Sequence, residues 1–290
     1  MRDLSANDTR LWVTYHNYYK APDMIGPGVA GALNIPYVQI ESSRAKSRLS
    51  GPWAGYAAAA EIAADAADLI FYPIQLDLQT LKRDQTAHQQ LALLRPFLPI
   101  TALPENPYKS DGPILAAGMM RQRDKLDSYA LIAETLANLQ TSDWHLNIAG
   151  DGPARAQVEA LMAPFGDRVR FLGQLDRKDM VAAYAEASVF LWPGVNEAYG
   201  MVYLEAQAAG LPIVAQDRDG VRDVIVAGTY PSPEDGPQAL AVELDRLLGD
   251  PALRLLRSDA ARAMIGKNHL LGAATDSFWS AVGPLLDKKP

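Results

Sequence analysis

Two carboxylates, Glu197 and Glu205, lie in the segment Asn196-Glu-Ala-Tyr-Gly-Met-Val-Tyr-Leu-Glu205, with Gly200 between them. A carboxylate only accepts hydrogen bonds, so two of them side by side suit a ligand rich in hydroxyls, such as a sugar and a ribose diol. If Gly200 opens a helix, the unsatisfied amides and positive dipole end of that helix suit a phosphate. The segment therefore reads as a site for a phosphorylated polyol. The same two glutamates also read as a solvated loop charge and a helix surface charge, and spacing alone does not separate the two.

The elements around them decide how they are held. Ser188-Val-Phe-Leu-Trp192 is a short apolar run ended by Pro193-Gly194, the pattern of a buried strand running into a loop. Glu197 falls in that loop, and Glu205 falls roughly one and a half turns inside the next helix at about 3.6 residues per turn. Both then face one pocket at the carboxyl end of the strand, where open parallel sheets bind ligands. From residue 113 onward strands and helices alternate. Ile114–Gly118, Trp144–Ala149, Arg168–Leu172, Ser188–Trp192 and Pro212–Gln216 read as strands. Leu126–Gln140, Ala154–Pro164, Lys178–Ala187 and Gly200–Ala209 read as the helices between them, which predicts a parallel sheet covered on both faces. Three more helices, 238–248, 251–265 and 273–286, close the chain.

This segment resembles the E-x7-E signature of the family 4 glycosyltransferases, retaining enzymes of the GT-B fold that use nucleotide-activated sugars. Ile148-Ala-Gly-Asp-Gly-Pro153 resembles the family's strand and Gly-Asp-Gly-Pro turn, and Val169-Arg-Phe-Leu-Gly173-Gln-Leu175 its next strand and glycine corner. Ala117-Gly-Met-Met-Arg121-Gln-Arg123-Asp-Lys125 stands where the family has its first strand and a pair of cations. The likeness spans roughly residues 113 to 230. It implies an α/β, GT-B-like chain of two Rossmann-like domains facing a cleft. Glu205 would hold the donor ribose, and Glu197 the sugar hydroxyls with Asn196 and Tyr199 beside it. Gly150, Asp151, Gly152, Gly173 and Leu175 would frame the base. Lys125, Arg121, Arg123 and the amides of Gly200, Met201 and Val202 would meet the diphosphate. The substrates implied are a nucleotide sugar and a sugar, glycan or lipid-linked acceptor, with no metal or other cofactor, in polysaccharide or glycan assembly. One departure is that relatives space the two cations more widely than Arg121 and Lys125.

Composition sets outer bounds. The chain has 290 residues, no cysteine, a net charge of −7 and 49% hydrophobic residues. A thiol nucleophile, a disulfide and a zinc–thiolate site are excluded, and the acidic balance argues against a nucleic-acid partner. The absence of an 18-residue apolar run, and of an apolar core in Met1–Asp8, leads us to expect a soluble cytoplasmic protein. Residues 1–112 carry 10 Lys/Arg against 11 Asp/Glu, and the remainder 17 against 23. Any diphosphate on the acidic second part needs local cations and helix dipoles. Pro96, Pro99, Pro104, Pro107 and Pro113 mark an extended connector. The expected division is 1–96 for an N-terminal domain, 97–112 for the linker, 113–270 for the donor domain, and 271–290 for a helix returning to the first domain through Phe278, Trp279 and Val282.

The first domain fits its pattern less well. Leu11–Tyr15, Tyr37–Ile40, Leu69–Tyr72 and Leu91–Leu94 read as strands, with an alanine-rich helix over 55–67. Four strands are only the later part of a Rossmann-like domain, and a missing central strand would leave an apolar edge. A fragment, a rebuilt domain, or one completed by a partner chain or oligomer are the alternatives. In the last case the chain is a nucleotide-sugar-binding remnant and not an enzyme. His16 stands at a strand end where the family often carries a histidine, and Glu41 where it carries another. The basic run Arg44, Lys46 and Arg48 beside Trp53 reads as a solvated loop, or as a contact with an anionic acceptor or the inner membrane face. Gly26-Pro-Gly-Val-Ala-Gly31 matches a dinucleotide fingerprint in letters but follows no strand, so it reads as a helix start with Pro27 in the first turn. Asp217-Arg-Asp219 reads as a turn and not as a metal site. A GT-B-like epimerase would need a hydrolytic constellation that the sequence does not offer.

Overall fold

The computed structural model describes residues 9–105 and 108–287; Met1–Asp8 and Pro107 lie outside the described residues. Two compact units form, one from residues 1–96 with 272–290 and one from 97–271.

In the first unit β1 (Trp12–Tyr15), β2 (Tyr37–Ile40), β3 (Leu69–Tyr72) and β4 (Gln90–Leu93) make a parallel sheet in the order β1-β2-β3-β4. The chain crosses between strands through α1 (Gly26–Leu33), α2 (Ala54–Ala66) and α3 (Gln75–Arg83). In α2, alanine supplies high helix propensity and a flat face; Ala57, Ala60, Ala63 and Ala64 are all buried. The last helix, α10 (Leu271–Leu286), belongs to this unit from Gly272 onward. Phe278 stacks on Phe71 of β3 with centroids 5.4 Å apart, and Val282 is buried. Trp279, grouped with them in the sequence reading, is instead 53% exposed. Gly26-Pro-Gly does open α1, with Pro27 in the first turn. Asp23 anchors that start, because its Oδ1 accepts from the amides of Ile25 and Gly26 while Oδ2 accepts from the hydroxyls of Tyr37 and Thr14.

The second unit holds β5 (Ile114–Ala117), β6 (Leu146–Ala149), β7 (Val169–Gly173), β8 (Val189–Leu191) and β9 (Ile213–Val214), all parallel, in the order β7-β6-β5-β8-β9. Helices α4 (Asp124–Ala137), α5 (Arg155–Met162), α6 (Arg177–Glu186) and α7 (Met201–Ala208) join successive strands, and α8 (Gly236–Gly249) and α9 (Pro251–Asn268) complete the unit. Strand order builds outward from β5 to β7, then resumes on the other side with β8. That reversal opens a crevice at the carboxyl ends of β5 and β8. The central strands β5 and β8 are buried on both faces, as their unbroken apolar sequences require, whereas the edge strand β7 is partly exposed.

The proline-rich segment does not stand apart as a connector. From Phe97 onward it packs with the second unit: Leu98 is buried, and its amide donates to the carbonyl of His269 at 2.8 Å. Leu98, Ile100, Leu103 and Tyr108 pack into the core of that unit, and the extended backbone that proline imposes suits a strap laid on a surface.

Candidate functional site

The crevice between β5 and β8 gathers the two sequence signals at one point. Strand β8 is followed by Trp192, and Pro193-Gly194 turns the chain into the loop carrying Asn196 and Glu197. Across the crevice, β5 runs through Gly118 into the start of α4, where Lys125 occupies the first turn. Two hydrogen bonds and an ion pair join the two sides. The amide of Val195 donates to Ser128 Oγ at 3.1 Å, Asn196 Nδ2 donates to Asp124 Oδ2 at 2.9 Å, and the Lys125 ammonium pairs with Glu197. Trp192 Nε1 donates to the same carboxylate at 2.9 Å, and the Lys125 ammonium lies 5.2 Å from the Trp192 ring centroid. The Lys125 and Glu197 side chains are only 16% and 12% exposed, so little solvent screens their attraction. Among the described residues, cation, carboxylate and indole thus satisfy one another.

Glu205 sits one turn into α7. Gly200 precedes that helix at φ +79, and a Cβ there would lie 2.8 Å from the Tyr203 ring, so only glycine fits. No side chain caps α7, which leaves its first amides available to an anion. Tyr184 of α6 donates to Glu205 Oε2 at 2.9 Å. Burial first, then the Glu205 charge and hydrogen bond, push the Tyr184 hydroxyl well above its ordinary pKa, so it stays a donor. Glu205 Oε1 accepts no hydrogen bond among the described residues. A cavity of about 300 Å³ lies beside it, bounded by Gly118, Met119, Gly150, Asp151, Leu175 and Val202 among others. An apolar groove of about 460 Å³ shares the Leu175, Met180, Tyr184 and Glu205 wall and extends along Leu98–Ile100. Gly150 has φ +143, and a Cβ on it would fall 2.0 Å from the carbonyl oxygen of Gly118, which shows how tightly the loops after β5 and β6 abut.

The expected site residues divide into four groups. Gly150, Asp151, Leu175, Val202 and Glu205 line the cavity. Lys125, Asn196 and Glu197 close the crevice; Tyr199 and Gly200 follow in the same loop, Met201 starts α7, Gly152 lies in the loop after β6 and Gly173 ends β7. Arg121 and Arg123 are exposed and form no ion pair among the described residues. His16 and Glu41 belong to the first unit, at the ends of β1 and β2. The sequence reading missed Trp192 and Tyr184, which hold the two glutamates. Asp217 and Asp219 both pair with Arg222, at 2.9 and 3.3 Å.

Among the described residues, five non-glycine ones have positive φ: His16 at 70°, Asn34 at 50°, Glu41 at 55°, Arg123 at 67° and Asn196 at 51°. Asn34 ends α1 in the left-handed cap that asparagine favours. The other four are all residues singled out from sequence. Side chains strain that conformation, and strain of this kind gathers at functional loops.

A five-stranded parallel sheet with a reversal of strand order at its centre is a Rossmann-like α/β unit, and with the second parallel unit the fold is GT-B-like. Comparison with known proteins agrees. Residues 112–250 match the family model described as "Glycosyl transferases group 1". The chain is 33% identical over 131 residues to a GDP-mannose-dependent monoacylated alpha-(1-6)-phosphatidylinositol monomannoside mannosyltransferase of Corynebacterium glutamicum, covering 42% of this chain and 34% of that one. It is 31% identical over 174 residues to alpha-D-kanosaminyltransferase of Streptomyces kanamyceticus, covering 57% and 44%. The alignments thus span less than half the length of these relatives. Sucrose-phosphate synthase from Thermosynechococcus elongatus superposes with a TM-score of 0.70 at 21% identity, over 96% of this chain and 74% of that one.

Proposed function

We propose that this chain is a retaining glycosyltransferase of the E-x7-E type. It moves a sugar from a nucleoside diphosphate sugar to an acceptor hydroxyl in glycan or glycolipid assembly. The observation that carries the reading is the meeting of Lys125, Glu197 and Trp192 at the strand-order reversal, with Glu205 one helix turn away beside an open cavity. The match of residues 112–250 to the glycosyl transferase family model, and similarity to named transferases over part of the chain, support it.

In this mechanism Glu205 Oε1 accepts from the ribose diol while Tyr184 fixes the carboxylate. The diphosphate enters at the α7 amides and draws the Lys125 ammonium from Glu197, which turns to the hydroxyls of the donor sugar. As the bond to the sugar breaks, negative charge grows on the leaving diphosphate. Lys125, Arg121 and the α7 amides stabilise it, so no metal is required. The residues framing the base do so largely through backbone groups, which leaves uridine and guanosine donors both open. Titration of UDP, GDP and ADP by calorimetry tests the reading. One nucleotide should bind and lose affinity in Glu205→Ala; a folded chain that binds none would refute it.

The four-stranded first sheet favours a second reading, a nucleotide-sugar-binding chain that acts only with a partner. The two differ when acceptor is added, because only an enzyme then releases nucleoside diphosphate.

A further inference from the structure

We propose that the acceptor is an acidic glycan, held by the first unit on an aromatic shelf between the end of β1 and the start of α2. Calling the ligand an acceptor rests on the glycosyl-transfer reading; the binding surface stands on the first unit alone.

The rings of Tyr15, His16, Tyr18, Tyr19, Trp53 and Tyr56 form one unbroken chain, with successive centroids 5.5, 4.9, 5.7, 5.8 and 6.1 Å apart. Exposed hydrophobic side chains normally occur singly, and a contiguous set marks a binding surface. Tyr15, Tyr56 and Trp53 are 66%, 54% and 37% exposed. Most contacts are edge to face, an arrangement that fixes each ring plane without burying it. Tyr19 and Trp53 meet at 81° and form a corner. Beneath the ladder, the fully buried Asn17 braces its loop, donating to the carbonyl of Ala60 at 3.0 Å and accepting from the amide of Asp23 at 2.9 Å. The shelf is therefore preorganised, which lowers the entropy lost on binding.

The chemistry of the shelf selects its ligand. A pyranose ring presents a face of C–H bonds, apolar and slightly positive, that complements the negative face of an aromatic ring. The Tyr15 hydroxyl donates to Glu41 Oε2 at 2.6 Å, so the phenol hydroxyls of Tyr18, Tyr19 and Tyr56 are those that can meet the hydroxyls of the sugar. Two cations then set its charge: the Arg48 guanidinium lies 5.3 Å and the Lys20 ammonium 5.6 Å from the Tyr19 ring centroid. Neither makes an ion pair among the described residues. Their neighbours differ, since Lys46 pairs with Asp84 at 2.7 Å and the buried Arg44 pairs with Glu61 and Asp65. Two uncommitted cations beside stacking rings suit a carboxylate or phosphate carried on the sugar. The shelf also lies at the carboxyl end of parallel strands, the ligand edge of open α/β sheets.

The test titrates the full chain with trigalacturonate, mannose 6-phosphate, neutral maltotriose and phosphatidylglycerol vesicles, following tryptophan fluorescence and heat. At least one acidic sugar should bind, more tightly than maltotriose. Trp53→Ala and Arg48→Glu should each weaken it about tenfold, the scale of one charge-assisted contact. Trp53→Phe, which keeps a ring, should retain most of the affinity and serves if the alanine variant does not fold. Failure of both acidic sugars to bind, affinity unchanged in the variants, or binding to vesicles alone would overturn the proposal. Nucleotide titrations keep the two readings apart. Nucleotide binding without sugar binding removes the shelf and leaves the donor site; sugar binding without nucleotide binding does the reverse.

Discussion

The two units use the same local recipe, short parallel strands joined by helices, yet end in different kinds of surface. In the second, the order β7-β6-β5-β8-β9 reverses at β5, and loops from either side of the reversal close on each other through Lys125 and Glu197. In the first, the order β1-β2-β3-β4 runs one way, and β1 is an edge with Val13 and Tyr15 exposed. Of the large hydrophobic side chains exposed among the described residues, ten belong to the first unit and six to the larger second. Reversal of strand order lets one unit build a crevice from its own loops. A one-way sheet builds no such crevice, and its recognition must come from what stands at the carboxyl end of its strands.

The sharpest way to break this contrast is to remove the charge at the reversal. Lys125→Ala should lower kcat by roughly 10²–10³-fold, the loss typical when one stabilising donor leaves a transition state. The melting temperature should fall as well, because the largely buried Glu197 keeps the Trp192 hydrogen bond but loses its cation. Next, Glu205→Ala should cost about 2–3 kcal/mol of nucleotide affinity by calorimetry, the scale of hydrogen bonds to a charged group. Binding to the aromatic shelf should be unaffected.

A smaller effect belongs to the first unit. Burial pushes the Asp23 carboxyl up, but hydrogen bonds from Thr14, Gly26, Tyr37 and Ile25 outweigh it and hold the group below the usual carboxylate range. Its contribution to stability is therefore present above the unfolded value near pH 4 and lost as pH falls through the lower folded value. Asp23→Asn should destabilise by about 1–2 kcal/mol at neutral pH and flatten the acid limb of a melting series, with nucleotide affinity unchanged. Smallest of all, Val13→Lys on the exposed edge strand should alter stability by less than about 0.5 kcal/mol in thermal melts. A large loss there would mean that β1 is covered in solution.

Much of this was legible in the sequence because apolar runs bounded by glycine and proline fix strands closely. Tyr37–Ile40 and Leu69–Tyr72 are strands at the expected residues. Helix α3 escaped notice because Leu81 is its only buried side chain, so its apolar stripe is short. Glu197 and Glu205 were visible as a spaced pair in one segment. Their supports were not: Tyr184 meets Glu205 across 21 residues, and Trp192 reads as the end of a buried strand until its indole N–H is seen to point at Glu197. Nor does composition show that residues 97–105 lie on the second unit, since proline marks an extended chain without saying what it rests against.

The left-handed backbone at His16, Glu41, Arg123 and Asn196 bears on how this protein would respond to selection for robustness alone. Glycine at any of these four places would relieve local strain, so a screen for heat resistance should return them as improvements. Such a screen would wear away both recognition surfaces while the two sheets stayed intact. Screening for stability and for turnover in parallel would therefore draw a map of what this chain recognises, written in the residues on which the two selections disagree.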